Sequence, residues 1–167
     1  LALNRIEGIY PQNEIIWSYN WGGRSQDNFA RKHEYAWCYS TGKKFLFNGD
    51  DVRVDRKVTK NLRSGKNYTK GTIPTCVWEK NNHTTSVDYC GWHPTTKNLD
   101  ILQRIIRAYT NENDTVLDIF MGSGSTAIAS KLTNRDYVGC ELDIDYITKA
   151  RKRIKSYDRI NTLSAIL

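Results

Sequence analysis

An apolar run, Val116-Leu117-Asp118-Ile119-Phe120, leads directly into Gly122-Ser123-Gly124-Ser125-Thr126-Ala127. Glycines in that setting let a backbone turn tightly and approach a nucleotide-like ligand at the start of a helix. A second apolar run, Tyr137-Val138-Gly139-Cys140, ends in Glu141. An acidic side chain roughly twenty residues after such a turn is placed to accept both hydroxyls of a ribose. The pattern reads as strand, glycine turn, helix start and second strand, which makes this stretch a candidate adenosine pocket.

Gly122, Gly124 and Ala127 also satisfy the dinucleotide-binding fingerprint, so half of an NAD-type dehydrogenase is an alternative. Its position in the chain argues against that. A doubly wound dinucleotide domain begins with this turn and then needs several further strands, whereas Gly124 is followed by room for one helix, one strand and one more helix. The remaining strands must lie upstream, in a permuted order.

Upstream of the turn stands His93-Pro94-Thr95-Thr96-Lys97, followed by the amphipathic Leu99-Asp100-Ile101-Leu102-Gln103-Arg104-Ile105-Ile106-Arg107. With this block about twenty residues before the glycines, the chain resembles the amino-methyltransferases of DNA, which methylate adenine N6 or cytosine N4. In that family a motif His-Pro-Thr-x-Lys-Pro precedes a loop Asp-Pro-Phe-x-Gly-Ser-Gly-Thr-Thr; here they read HPTTKN and DIFMGSGST. The departures are Asn98 and Ile119 for proline and Ser125 for threonine, and none removes a polar contact. Asn13 to Tyr19 and His33 to Ser40 look like the strands that follow the catalytic half in these enzymes. The resemblance covers most of the chain and weakens only between about Asp50 and Asp88.

The resemblance implies an α/β fold: a partial doubly wound, Rossmann-like, S-adenosylmethionine-dependent methyltransferase sheet with an irregular recognition insertion. Residues 1–42 would supply strands of that sheet, 43–92 the target-recognition insertion and 93–167 the cofactor-binding part. It also implies roles. Asp118 would point its carboxylate to the ligand end of the sheet, with Phe120, Gly122, Ser123 and Gly124 forming the floor under the methionine part of S-adenosylmethionine. Glu141 would hold the ribose, and a buried Thr95-x-Lys97 pair would bind the amino-acid carboxylate. His93 would brace that loop. The reaction would be direct methyl transfer to an exocyclic amine, a poor nucleophile that these enzymes reach by flipping the base out of the duplex.

Recognition region first and cofactor motifs last is the order of the beta class. Its opening catalytic motif, of the form Asp-Pro-Pro-Tyr, is absent: the prolines are Pro11, Pro74 and Pro94, and no two are adjacent. Leu1 to Ile6 reads as the tail of an amphipathic helix with no N-cap in front of it. The expectation is therefore the C-terminal part of a restriction-modification type methyltransferase, with no catalytic residue of its own and inactive alone. Its missing catalytic segment would come from the same or a second chain, with a homodimer as one arrangement. A catalytically incomplete DNA- or cofactor-binding subunit of a split or decayed methyltransferase is the alternative.

The net charge of +7 suits a polyanionic partner, and its distribution sharpens the point. Between Thr41 and Lys70 stand nine basic residues, Lys43, Lys44, Arg53, Arg56, Lys57, Lys60, Arg63, Lys66 and Lys70, against Asp50, Asp51 and Asp55. By itself such a run reads as a solvated surface loop. Within the resemblance it falls in the target-recognition region, and contact with the phosphates of double-stranded DNA explains it better.

The four cysteines, Cys38, Cys76, Cys90 and Cys140, form no C-x-x-C pair and do not suggest a secreted disulfide framework. Cys76, His83, Cys90 and His93 are zinc-ligand types, but their spacing matches no familiar finger and His93 belongs to the HPTTK block, so no metal is expected. With no apolar run long enough to span a bilayer and no leader pattern, a soluble cytoplasmic protein is expected, and the resemblance implies a bacterium, archaeon or phage as its source.

The elements follow from periodicity. Asn13 to Tyr19 and Tyr35 to Tyr39 read as strands around a turn-rich Asn20 to Ser25. Lys43 to Trp92 reads as irregular, with short strand-like pieces at Phe45-Leu46-Phe47 and Thr75-Cys76-Val77-Trp78. A helix over Leu99 to Tyr109 would bury Leu99, Leu102, Ile105 or Ile106, and Tyr109. A last helix over Asp145 to Lys155 would turn Tyr146, Ile147, Ala150 and Ile154 inward and leave Lys149, Arg151, Lys152 and Arg153 on a basic outer face.

Overall fold

The computed structural model describes residues 2–20, 22–55, 71–80 and 88–164, with side chains to Tyr157. It forms two compact units, Leu1–Lys80 and Asn81–Leu167. That boundary differs from the expected divisions at 42/43 and 92/93.

In the first unit, β1 (Tyr10–Ser18) and β2 (His33–Ser40) pair antiparallel, and β3 (Val77–Glu79) joins the other side of β1 in parallel. Alternation along β1 puts Ile15 and Trp17 inside. The Trp17 indole N–H donates to Lys80 O at 2.6 Å, which fixes the end of β3. The β1–β2 register shifts between Pro11 and Asn13, beside the residue that cannot donate to the ladder. Of the expected Thr75 to Trp78 piece, Val77 and Trp78 thus belong to a sheet. Phe45, Leu46 and Phe47, expected to resemble a short strand, form none and are exposed. A 3-10 turn at Ala2–Arg5 stands where the helix tail was expected.

The second unit holds the β–α–β pattern. Helix α1 (Leu99–Tyr109) precedes β4 (Thr115–Asp118), α2 (Ser125–Leu132), β5 (Asp136–Gly139) and α3 (Ile144–Ser164). β4 and β5 run parallel in register, Leu117 opposite Val138 and Asp118 opposite Gly139. α1 starts at Asn98, whose side chain accepts the Ile101 N–H at 3.2 Å, a capping role proline cannot perform. It buries Leu99, Ile101, Ile106 and Ala108, a face rotated from the expected one, with Leu102, Ile105 and Tyr109 half-buried.

The core sits between α1, α2, α3 and one face of the β4–β5 pair: Leu99, Ile106, Ala127, Ile128, Ala129 and Ile154, with Val116, Met121 and Leu132 against them. Arg135, buried, donates from Nε to Thr110 Oγ1 at 3.0 Å and from Nη2 to Thr110 O at 2.7 Å, tying the turn before β5 to the end of α1. Charged donors of this kind are kept inside only when their N–H groups find acceptors.

α3 departs from expectation in two ways. It runs to Ser164 rather than Lys155. Ala150 and Ile154 face inward as expected, but Arg153 does too: it is half-buried and hydrogen-bonded to the interior rather than lying on the basic outer face. Lys149, Arg151 and Lys152 remain exposed.

Candidate cofactor site

β4 ends at Asp118, and the chain must turn back at once to start α2. Two glycines make this possible, Gly122 at φ +50° and Gly124 at φ +77°, a left-handed conformation that costs L side chains strain. Asp118 organises the turn from inside: Oδ1 accepts the Phe120 N–H at 2.9 Å and Oδ2 the Thr126 hydroxyl at 2.6 Å. Both its oxygens therefore already serve the turn. Cys140 N donates to Asp118 O at 2.9 Å and Met121 N to Cys140 O at 2.8 Å, which continues the β4–β5 ladder into the loop.

The end of β5 then delivers Glu141 to the same place. Its Oε2 accepts the Gly122 N–H at 2.8 Å, while Oε1 accepts Leu142 N at 2.9 Å and Asp143 N at 3.1 Å. These backbone donors, Asp143 first and Gly122 second, hold its carboxyl below the usual glutamate range. Glu141 is an anion fixed across the mouth of the glycine turn.

The HPTTK block closes the third side. The His93 ring packs against Gly122 so tightly that a Cβ there would lie 2.7 Å from Nε2. Nδ1 accepts the Thr95 N–H at 3.3 Å, which leaves the ring proton on Nε2. Burial pushes the imidazole pKa down, the charges of Lys97 and Arg153 add to that, and Glu141 opposes it. Tyr146 of α3 stands against the ring, centroids 4.7 Å apart, with Trp92 beside both.

Of the residues expected from sequence, His93, Asp118, Gly122, Ser123, Gly124 and Glu141 come together around this turn. Thr95 is exposed rather than buried; its neighbour Thr96, 1% exposed, is the buried hydroxyl, and it bonds His93 O at 3.1 Å and Cys90 Sγ at 3.0 Å. The chain direction at Pro94 turns one threonine in and the other out. Lys97 is half-buried, and its charge is felt at His93. Phe120 is 81% exposed, and Ser123 is buried with its hydroxyl 3.0 Å from that of Ser125. Thus Phe120 offers a free aromatic face, whereas the part of Ser123 at the turn is backbone.

Of the expected DNA-contacting residues, Lys43 and Lys44 are exposed in the first unit. Arg53 pairs with Asp50, Nε to Oδ1 at 2.7 Å, so part of its charge is engaged. Arg56, Lys57, Arg63 and Lys66 lie outside the described residues. Among the described residues no three His, Cys, Asp or Glu side chains cluster to hold a metal, and His83 lies outside them. None of the described helices is long and apolar enough to cross a membrane.

A parallel β–α–β unit with a glycine turn after its first strand and an acid after its second has the architecture of the nucleotide-cofactor class of α/β folds. Residues 1–152 match the model of the N6_N4_Mtase family, DNA methylase, and the chain belongs to that family. It is 33% identical over 162 residues to the Type II methyltransferase M1.MboII of Moraxella bovis, covering 86% of this chain and 62% of that protein. It is 33% identical over 154 residues to M.HpaI of Haemophilus parainfluenzae, covering 89% and 46%. The crystal structure of an M1.HpyAVI–SAM complex superposes with TM-score 0.62 at 28% identity, covering 88% of this chain and 63% of that one. The cytosine-N4-specific PvuII DNA methyltransferase shares the fold, with TM-score 0.65 at 18% identity over 88% and 56%. The fold is a partial Rossmann-like methyltransferase fold, and the chain spans roughly half the length of these relatives.

Proposed function

We propose that this chain supplies the cofactor-binding part of a DNA methyltransferase that moves a methyl group from S-adenosylmethionine to an exocyclic amine, adenine N6 or cytosine N4, in double-stranded DNA. The observation that carries this reading is the meeting of His93, Gly122 and Glu141 at one turn, in a chain belonging to the DNA methylase family. The bound cofactor would supply a methyl on a sulfonium, already activated for transfer. Everything this chain does is binding and orientation.

The donor and acceptor types fit that ligand. Glu141 would accept ribose hydroxyls. A carboxylate has about four acceptor positions, and three N–H groups fill three of them. Gripping both ribose hydroxyls therefore requires Glu141 to release at least one backbone donor. Thr95 and Lys97, at the opposite lip, would hold the amino-acid carboxylate with a hydroxyl and a cation. Exposed Phe120 offers an apolar face to the ligand. Asp118 shapes the loop through Phe120 N and Thr126 rather than reaching for the ligand.

Lys43, Lys44, Arg53, Arg56, Lys57, Arg63 and Lys66 would contact phosphates. No residue of this chain is assigned to polarise the amine, a task left to an Asp-Pro-Pro-Tyr segment in the same or a second polypeptide. The cytoplasm of a bacterium, archaeon or phage-infected cell, where the DNA lies, is the proposed location.

Titration of the 15N-labelled chain with S-adenosylmethionine tests the site. The Gly122, Leu142 and Asp143 amides shift on binding, and Glu141→Ala weakens binding roughly tenfold to a hundredfold, the scale of a lost charge-assisted hydrogen bond. Shifts confined to other residues, or binding indifferent to that substitution, would reject the site.

A further inference from the structure

α3 presents one continuous stripe to the candidate site. Tyr146 stands on the His93 ring, and Ala150 and Ile154 meet Gly124 so closely that a Cβ there would lie 3.1 Å from Ile154 Cδ1 and 3.3 Å from Ala150 Cβ. Arg153 lies in the same stripe, one heptad after Tyr146. Its Nη1 donates to Ser123 O at 2.9 Å and to Ser125 Oγ at 3.0 Å. Its Nη2 donates to Asp88 O at 2.7 Å. Asp88 in turn accepts the Leu99 N–H on Oδ2 at 3.2 Å, so the segment that Arg153 holds brackets the HPTTK block from Asp88 to Leu99.

We propose that Arg153 is a positioning residue of the cofactor site: its guanidinium clamps the glycine turn to the segment carrying His93, Thr95 and Lys97, and so sets the spacing between the two lips of the pocket. This rests on the cofactor reading above.

The chemistry favours arginine specifically. The acceptors are backbone carbonyls on two separate segments plus one hydroxyl, and a planar fork with fixed donor directions spans them, whereas a single ammonium cannot direct its three donors to both segments at these distances. Ser123 and Gly124 stand at the N-terminus of α2. The Ser123 carbonyl that Arg153 holds belongs to the peptide group whose N–H, on Gly124, closes the turn onto Met121 O at 2.9 Å, so the guanidinium fixes the orientation of that turn. The family match ends at residue 152, one residue before this side chain.

The test compares Arg153→Ala, Arg153→Lys and, as an exposed neighbour, Lys152→Ala. Hydrogen exchange is followed over residues 88–98 and 121–126, alongside S-adenosylmethionine affinity and thermal midpoint. Arg153→Ala is expected to speed exchange in both segments together while the α1 amides keep their protection, and to weaken the cofactor about tenfold, one charge-assisted hydrogen bond's worth. Arg153→Lys should recover most of the thermal midpoint without recovering affinity, and Lys152→Ala should change neither. The proposal is overturned if exchange rises uniformly over residues 88–157, if only one segment responds, or if lysine restores binding in full. The exchange result stands without any ligand. A wild-type chain that binds no S-adenosylmethionine, or a Glu141→Ala variant that binds it normally, therefore counts against the cofactor reading and leaves the clamp to be decided by the exchange pattern.

Discussion

The imidazole of His93 occupies the space that any side chain at position 122 would need, its Nε2 only 2.7 Å from where a Cβ would stand. The HPTTK block and the glycine turn are therefore complementary in shape as well as near in space. Gly122→Ala meets two penalties, the left-handed φ of +50° and the ring. The first costs about 1–2 kcal/mol. The second is relieved by removing the ring, so His93→Ala should recover part of the stability lost in Gly122→Ala. Thermal denaturation of both single variants and the double variant measures that coupling. Additive losses would show that the ring and the glycine do not constrain each other.

Protonation should loosen this site in a fixed order. Burial lowers the His93 pKa, with Lys97 and Arg153 reinforcing it and Glu141 opposing it. The fold thus favours the neutral ring, and the stability it contributes is complete above the ordinary histidine value of about 6.5 and lost as pH falls below it. Glu141 is lowered as well, so its contribution is present above the ordinary glutamate value and lost only as pH falls through its depressed one. Thermal midpoint against pH should fall first near the histidine range, and His93→Gln should flatten that first step alone. A first step that survives the substitution assigns it to another group.

Much of the second unit is legible because its signals are local. Gly122 and Gly124 supply a turn that few other residues could make, and the Leu99 to Tyr109 spacing gives a helix at the same bounds in sequence and structure. β3 is legible only as a short apolar piece, since three residues carry no period and its partner, β1, lies some sixty residues away. Thr95 lies outside, where burial was expected, and Thr96 inside, because spacing alone cannot say which way the chain turns after Pro94. Arg153 reads as surface by composition. Its distance from Tyr146 and Ala150, seven and three residues, placed it on the buried stripe and was the available signal.

DNA affinity should come from the first unit's basic segment. Reversing charge at Lys43, Lys44, Arg56, Lys57 and Arg63 removes cations that would displace counterions from phosphate, and should weaken binding and flatten its salt dependence. Reversal at Lys149 and Lys152, exposed on α3, should do much less. Filter binding across a salt series reads both. Equal losses from the two sets would move the interface away from residues 43–70.

The chain should transfer no methyl groups by itself. It contains no adjacent prolines, so the Asp-Pro-Pro-Tyr groups that would polarise the target amine have no counterpart among its residues. Among the described residues β4 pairs only with β5, and the face away from α2 leaves Leu117 64% and Val138 52% exposed. A parallel pair is ordinarily covered on both faces and extended at its edges, because bare apolar surface and unpaired backbone invite association. A polypeptide that covers this face and adds a strand beside β4 would supply the catalytic groups in the same act, whether it is continuous with this chain or a separate subunit. Adding that polypeptide should bring methyl transfer to DNA and protect the β4 amides from exchange together. Labelled methyl transfer by the 167-residue chain alone, its mass confirmed, would show that the amine is activated by residues within it.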